Sequence, residues 1–139
     1  MTEAIAIGAD VATIIASLIA IYLFVAKREA ISSAFSALIN YSFQMTLTEL
    51  YSKIDKLNEL NASEPTEQDK VINILNDVLG QIRGNKRLRA QCQELHTSMT
   101  KLAEDRTQLT EPRKRSVVSE LRETLKNLDV KNFDERAGG

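Results

Sequence analysis

The sequence predicts an all-α protein, in which a single N-terminal transmembrane helix continues into a cytoplasmic helical hairpin or bundle with coiled-coil-like apolar stripes. Three observations support this prediction. Residues 11–26 form an apolar run without a charged side chain. Beyond that run, apolar residues recur at steps of three and four, and no stretch shows the alternation of a half-buried β-strand. Only two prolines interrupt the 139 residues, so long helices are possible.

The first element is a transmembrane anchor, residues 1–26, whose span runs from Ala4 to Ala26. A helix of this length measures about 34 Å, long enough for a hydrocarbon core of about 30 Å. No basic residue precedes Lys27, so we expect no cleaved signal peptide, which would need a basic n-region. All 18 basic residues follow the span. The positive-inside rule therefore predicts a single-pass protein of the cell (inner) membrane, with its N terminus outside and its C-terminal domain in the cytoplasm.

Two features of the span are candidates for function. Asp10 is the only charged residue between Ile5 and Ala26. It lies about 9 Å along the helix from Ala4, near the outer interface, where we expect its carboxylate to reach headgroups or water. The alternative is an intramembrane carboxylate that lines a water-filled path or pairs with a partner's cation. Small residues also recur at every fourth position along one face, which favours close helix packing in lipid: Ala4, Gly8, Ala12, Ala16 and Ala20.

Residues 27–61 are predicted to form a juxtamembrane, coiled-coil-like helix. Within it, residues 30–48 contain no charged side chain but eight Ser, Thr, Asn or Gln residues. Such a segment is a poor lipid-facing span, so we expect an interfacial helix or one buried in an assembly, and the alternative is a pore-lining helix. The apolar residues of the second half step by four, three, four and three, which is a heptad pattern: Phe43, Leu47, Leu50, Ile54 and Leu57.

Residues 62–130 are predicted to be a helical bundle or hairpin domain, followed by a flexible tail, residues 131–139. Ser63 is the expected N-cap of the second helix and Pro65 suits its first turn, while Gly84 should end it in a left-handed conformation. A third helix should run to the interruption at Thr110, and a fourth from about Pro112 to Asp129. The three apolar faces comprise Val71, Leu75, Val78 and Ile82 with Ile72 and Leu79; Leu88, Cys92, Leu95, Met99, Leu102 and Leu109; and Val117 or Val118, Leu121, Leu125 and Leu128.

Charge is segregated within the predicted cytoplasmic part. Residues 29–77 contain three basic and eight acidic residues, whereas residues 83–115 contain nine basic and four acidic ones. The complementary signs favour antiparallel helices with opposite charges beside their apolar seams. Two basic clusters are most simply solvated helix ends, although anionic lipid, nucleic acid or an acidic partner could contact them. They comprise Arg83, Lys86, Arg87 and Arg89, and Arg113, Lys114 and Arg115.

No residue pattern indicates catalysis, a metal site or a cofactor. Cys92 and His96 share a helix face, but a closed zinc site needs four ligands and the sequence contains no other Cys or His. We interpret Cys92 as a core residue and His96 as its edge. Glycine loops that bind phosphate are absent, and nucleic acid is disfavoured by the net charge of −1 and by the lack of any zinc-finger spacing. The chain is therefore predicted not to be an enzyme.

These features favour a bitopic membrane subunit that acts as a scaffold. With only one aromatic residue after Tyr51 the core is modest, so we expect a homo-oligomer or another membrane or cytoplasmic subunit to complete it. The protein would oligomerise or dock a partner through its cytoplasmic helices. The alternative is a membrane-active effector or channel component, whose copies bring their spans and segment 30–48 together around a permeation path.

Overall fold

A computed structural model describes residues 2–138 of the chain, except for the side chain of Arg136. These residues form five α-helices and no strand, which confirms the all-α prediction. The chain divides into two compact units, the first running to Tyr41 and the second beginning at Ser42. The helices are α1 (Thr2–Glu59), α2 (Pro65–Gly84), α3 (Lys86–Gln91), α4 (Gln93–Glu104) and α5 (Glu111–Ala137).

The second unit is an antiparallel helical bundle, to which α1 contributes residues 42–59. Polar contacts show that α1 runs antiparallel to both α2 and α5, because in each pair residue numbers rise along one helix as they fall along the other. The end of α1 lies between α2 and α5, and α4 lies between the same two helices on the other side. The contacts are Lys53–Asp77 (3.3 Å) and Gln81–Glu49 (2.8 Å) between α1 and α2, and Gln44–Asp129 (3.0 Å) and Arg122–Asp55 (2.9 Å) between α1 and α5. Arg106, in the loop after α4, pairs with Asp69 of α2.

The apolar stripes predicted from periodicity form the core of this bundle. Every residue of the heptad stripe in α1 is buried, and so are the principal apolar positions of the other helices. The heptad stripe therefore packs against helices of its own chain. The core comprises Phe43, Leu47, Leu50, Ile54, Leu57, Ala62, Val71, Leu75, Val78, Leu79, Ile82, Leu88, Cys92, Leu95, Met99, Leu102, Leu109, Val117, Val118, Leu121, Leu125 and Leu128.

Two predicted helix caps are wrong in detail. The N-cap of α2 is Glu64 and not Ser63. The reason is a local turn, in which the Ser63 N–H donates to Asn61 Oδ1 at 2.9 Å and the helix starts one residue later. At the other end α2 stops at Gly84 as predicted, but no described residue has a positive φ, so the left-handed glycine is absent.

Asn85 makes the turn that Gly84 was predicted to make. Its backbone is extended (φ −114°), and its Oδ1 accepts from the N–H groups of Arg87 and Leu88 at 3.0 and 3.2 Å. One residue therefore ends α2 and caps α3, because an asparagine side chain can satisfy the free N–H groups of a first helical turn.

The third and fourth predicted helices also differ in their bounds. The third is divided at Cys92 into α3 and α4, although the bonds Cys92 N–Leu88 O (2.9 Å) and His96 N–Cys92 O (2.7 Å) run through the break. The fourth continues eight residues past Asp129, to Ala137. Helix therefore covers most of the predicted tail, and the flexibility of residues 131–139 stays a prediction.

Candidate functional site

The first unit consists of the apolar part of α1. It contains a stretch that is long and apolar enough to cross a membrane, and no residue of that stretch is buried within the chain. Its threonine and its serine are satisfied locally, since Thr13 Oγ1 donates to Ala9 O at 2.9 Å and Ser17 Oγ donates to Thr13 O at 2.8 Å. Such i to i−4 bonds let hydroxyl groups lie in hydrocarbon without an external partner.

The candidate residues of the span are exposed in the single chain. The small-residue ladder (Ala4, Gly8, Ala12, Ala16 and Ala20) lies on the surface, as does Asp10. A side chain added at Gly8 would meet nothing within 4 Å. The face is therefore open to lipid or to another helix, and its role in helix packing stays a prediction.

The uncharged segment 30–48 is divided between the two units. Residues 30–39 are exposed in the first unit, whereas Phe43 and Leu47 are buried in the core of the bundle. Its second half therefore has a structural role, and its first half remains available for an interface or a pore.

The predicted basic cluster at residues 83–89 lies at one end of the bundle, which we call the Ser42 end. This end is formed by the first bundle turns of α1, the last turns of α2, the whole of α3 and the last turns of α5. Arg87 joins these parts: its guanidinium lies 5.3 Å from the centre of the Phe43 ring, and its Nη1 donates to Asn132 Oδ1 at 3.3 Å. It also lies 4.0 Å from Glu135.

A groove of about 330 Å³ opens beside Arg87 at the Ser42 end. Asn132 is its most buried polar residue, only 3% exposed, and its Nδ2 has no hydrogen-bond partner. The groove thus has a buried amide donor that the chain does not use. Its lining comprises Phe43, Lys86, Arg87, Ala90, Gln91, Leu128, Lys131, Asn132 and Glu135.

A second groove, of about 450 Å³, lies between α2 and α4. It brings together two further arginines of the basic cluster, Arg83 and Arg89, and it is also lined by His96, whose Nε2 is buried without a partner. Cys92 is buried in the core, and burial raises the pKa of its thiol, with Glu120 adding to the effect. Among residues 2–138 no three Cys, His, Asp or Glu side chains form a group that could hold a metal ion.

The other predicted basic cluster lies at the opposite end of the bundle, the loop end, which carries the connections α1–α2 and α4–α5. Arg113 and Arg115 are exposed there, but Lys114 is completely buried. Its Nζ donates to the carbonyls of Leu57 and Leu60, at the C-terminal end of α1, and lies 3.0 Å from Glu111 Oε1. Lys114 therefore caps α1, whose last carbonyls have no partner within the helix, and is unavailable to a ligand.

Glu111 completes this buried polar cluster. Its Oε2 accepts from the Ala62 N–H at 2.6 Å, and its Oε1 lies 3.0 Å from Arg115 Nε. Burial raises the pKa of the Glu111 carboxyl, but the bonds from Ala62, Lys114 and Arg115 outweigh that effect and hold the pKa below its ordinary value. This arrangement was not predictable from the sequence, because Glu111 and Lys114 also bond to Ala62, Leu57 and Leu60, which lie about fifty residues earlier in the chain.

Comparison with known protein families, curated proteins and solved structures finds no match. Asn132, in the groove, was not predicted from the sequence, because a single asparagine in a polar helical stretch belongs to no recognisable motif.

Proposed function

We propose that the protein is a non-enzymatic, bitopic membrane subunit, whose first unit anchors it in a bilayer and whose helical bundle serves as a cytoplasmic scaffold. The observation that carries this proposal is the contrast between the two units. The bundle buries its own apolar stripes, whereas the apolar stretch of α1 has no covered residue.

Lipid is the environment that this apolar stretch favours. The core helix of a soluble protein has the same length and composition but is buried by its neighbours, and this helix is not. Burial of apolar surface stabilises by about 25 cal/mol per Å², so more than twenty uncovered apolar and small residues would drive insertion or aggregation. The locally bonded Thr13 and Ser17 are compatible with insertion.

The character of the bundle is the support for the proposed scaffold role. The buried Lys114 and Glu111 bond to the end of α1 and to the α1–α2 connection, so this polar cluster holds helices together. Self-association of copies through the open small-residue face of α1 would give the assembly its valency. Partner and copy number are to be read from the detergent-extracted complex.

Alkaline carbonate washing of membranes tests the anchor. The full chain, expressed in a bacterial host, should stay in the pellet, and an Ile15→Arg/Ile19→Arg variant should be released, because arginine at the centre of a span is costly. An Ile72→Arg variant, altered at a half-buried position of the bundle, is the control for a loss of folding and should remain in the pellet. Complete release of the unaltered chain would refute the proposal.

A further inference from the structure

We propose that the Ser42 end of the bundle docks on an anionic lipid surface, with the groove between α1, α3 and α5 receiving a phosphate-bearing headgroup. This inference rests on the proposed membrane attachment and assigns a ligand to a surface of the bundle. Three independent observations meet at this end: exposed apolar side chains, a concentration of positive charge and a groove with an unused donor.

The exposed apolar side chains of the bundle are gathered at the Ser42 end. Among its described residues, the large hydrophobic side chains that are exposed are Met45, Val130 and Phe133, at 50, 61 and 69%. Met45 is next to Gln44, which bonds to Asp129 beside Val130, so the three belong to one region where α1 meets α5. The loop end has no exposed large hydrophobic side chain among its described residues. Apolar side chains beside cations are typical of surfaces that insert into the headgroup region.

Charge is distributed in the same direction. Residues 83–91, at the Ser42 end, contain four basic and no acidic residues, and residues 128–138 of α5 add two basic and three acidic ones, which leaves this end with a net charge of +3. At the loop end, residues 55–70 contain five acidic and two basic residues and residues 101–115 contain three acidic and five basic ones, which leaves a net charge of −1. A negative lipid surface therefore attracts the Ser42 end more than the loop end, which favours docking by the Ser42 end.

The groove supplies the chemistry for one headgroup. Lys86, Arg87 and Lys131 present cationic donors around it, and the buried Asn132 Nδ2 adds a neutral donor without a partner in the chain. Phosphate oxygens are acceptors only, so they complement this set. Glu135 is the one acidic residue of the lining, and at 4.0 Å from Arg87 it holds that side chain weakly.

Anionic lipid is favoured over an acidic protein or a nucleic acid by the tether. Fifteen residues separate the predicted span from Ser42 in the chain, so lipid headgroups are present at high effective concentration, whereas a soluble partner must be recruited. The exposed Phe133 and Val130 side chains also suit the boundary between headgroups and acyl chains, whereas the phosphate backbone of a nucleic acid offers them no apolar surface.

Tryptophan fluorescence tests the proposal on the full chain. The sequence contains no tryptophan, so Phe133→Trp introduces a single reporter at an exposed position of the Ser42 end. Ser63→Trp places the matched reporter at the loop end. The chain is inserted into nanodiscs of phosphatidylcholine, or of phosphatidylcholine mixed with phosphatidylglycerol, with bromine on the upper acyl chains as quencher. We expect quenching of the Phe133→Trp reporter in the mixed nanodiscs alone, and none of the Ser63→Trp reporter in either.

Charge variants in the Phe133→Trp chain then test the cause. Lys86→Gln, Arg89→Gln and Lys131→Gln together should abolish the quenching, since each removed cation lowers the ratio of docked to undocked bundle about fivefold. Lys70→Gln, Lys101→Gln and Arg113→Gln remove the same charge from exposed positions at the loop end and should leave it unchanged. Asn132→Asp tests the groove: it keeps the acceptor for Arg87 but replaces the unused donor by a negative charge, and should reduce quenching.

Each contrary result would refute one part of the docking proposal. Absence of quenching in both nanodiscs, or equal quenching in both, refutes docking on anionic lipid. Equal effects of the two triple variants refute the role of the basic cluster, and an Asn132→Asp variant that docks normally refutes headgroup binding in the groove. A chain that fails to enter nanodiscs at all refutes the proposed membrane attachment instead, so the two failures are distinguishable. Helical content, measured by circular dichroism, identifies any variant that does not fold. For such a variant, the quenching of the Phe133→Trp chain is measured at high salt instead, because salt screens the same charges.

Discussion

Lys114 gives the sharpest prediction about the stability of the bundle. Replacing it with methionine keeps most of its length but removes the ammonium group that contacts Glu111 and the carbonyls of Leu57 and Leu60. Breaking a buried ion pair from one side costs about 3–5 kcal/mol, and each orphaned buried carbonyl about 1–3 kcal/mol. Glu111 is 15% exposed and keeps its bonds from Ala62 and Arg115, which reduces the charge contribution. We therefore expect Lys114→Met to lower the free energy of unfolding by about 3 kcal/mol in total.

Thermal unfolding of the detergent-solubilised chain, followed by circular dichroism, measures this loss. For a unit of about 100 residues, each kcal/mol shifts Tm by about 4–8 °C, so Tm should fall by roughly 12–24 °C. Arg115→Met is the matched control: Arg115 contacts the same Glu111 oxygen from an exposed position, and its loss should cost less than about 1 kcal/mol. Combined with Glu111→Gln, Lys114→Met should cost less than the sum of the two single changes, because both act on one cluster. Equal, small effects of Lys114→Met and Arg115→Met would refute the capping role.

Three further predictions concern the pH dependence, the core and the span. The folded pKa of Glu111 lies below its ordinary value of 4.5, so the stabilisation by its carboxylate is fully present above pH 4.5 and is lost as the pH falls through the folded pKa. In urea unfolding at decreasing pH, the free energy of unfolding should therefore fall less steeply for Glu111→Gln than for the unaltered chain. An identical fall would contradict this prediction. Leu125→Ala should lower the free energy of unfolding by about 2–5 kcal/mol, because Leu125 is completely buried, and a loss below about 1 kcal/mol would contradict its place in the core. Ala12→Leu with Ala16→Leu should weaken association of the span in a membrane two-hybrid assay, whereas Val11→Leu should not, and unchanged association would remove the ladder as a packing face.

The helices and most of the core could be predicted from the sequence because both depend on local periodicity. The heptad stripe from Phe43 to Leu57 identified the buried face of α1, and spacing alone likewise placed Leu75, Met99 and Leu121 in the core. The two oppositely charged segments, residues 29–77 and 83–115, are joined by one described ion pair, between Asp69 of α2 and Arg106 in the loop after α4.

Features that depend on contacts across the chain were not predictable in the same way. In the sequence Lys114 stands between two arginines and suggests a solvated cluster, but the end of α1 offers it carbonyls that only the fold brings near. Likewise, the end of α2 is set by the Asn85 side chain, which bonds to the first N–H groups of α3, and not by the glycine before it. The Ser42 end combines residues of four helices, so neither its groove nor the gathering of Met45, Val130 and Phe133 was visible along the chain.

In the proposed topology, α1 crosses a membrane and holds the bundle on its cytoplasmic side. Labelling of single cysteines in intact bacterial cells with a membrane-impermeant maleimide tests it most directly, in a Cys92→Ser background that removes the only native thiol. Glu3→Cys should be labelled in intact cells, and Ser63→Cys, at the exposed loop end, only after the membrane is permeabilised. Labelling of Ser63→Cys in intact cells would contradict the proposed orientation, and equal labelling at both positions only after permeabilisation would contradict the crossing itself.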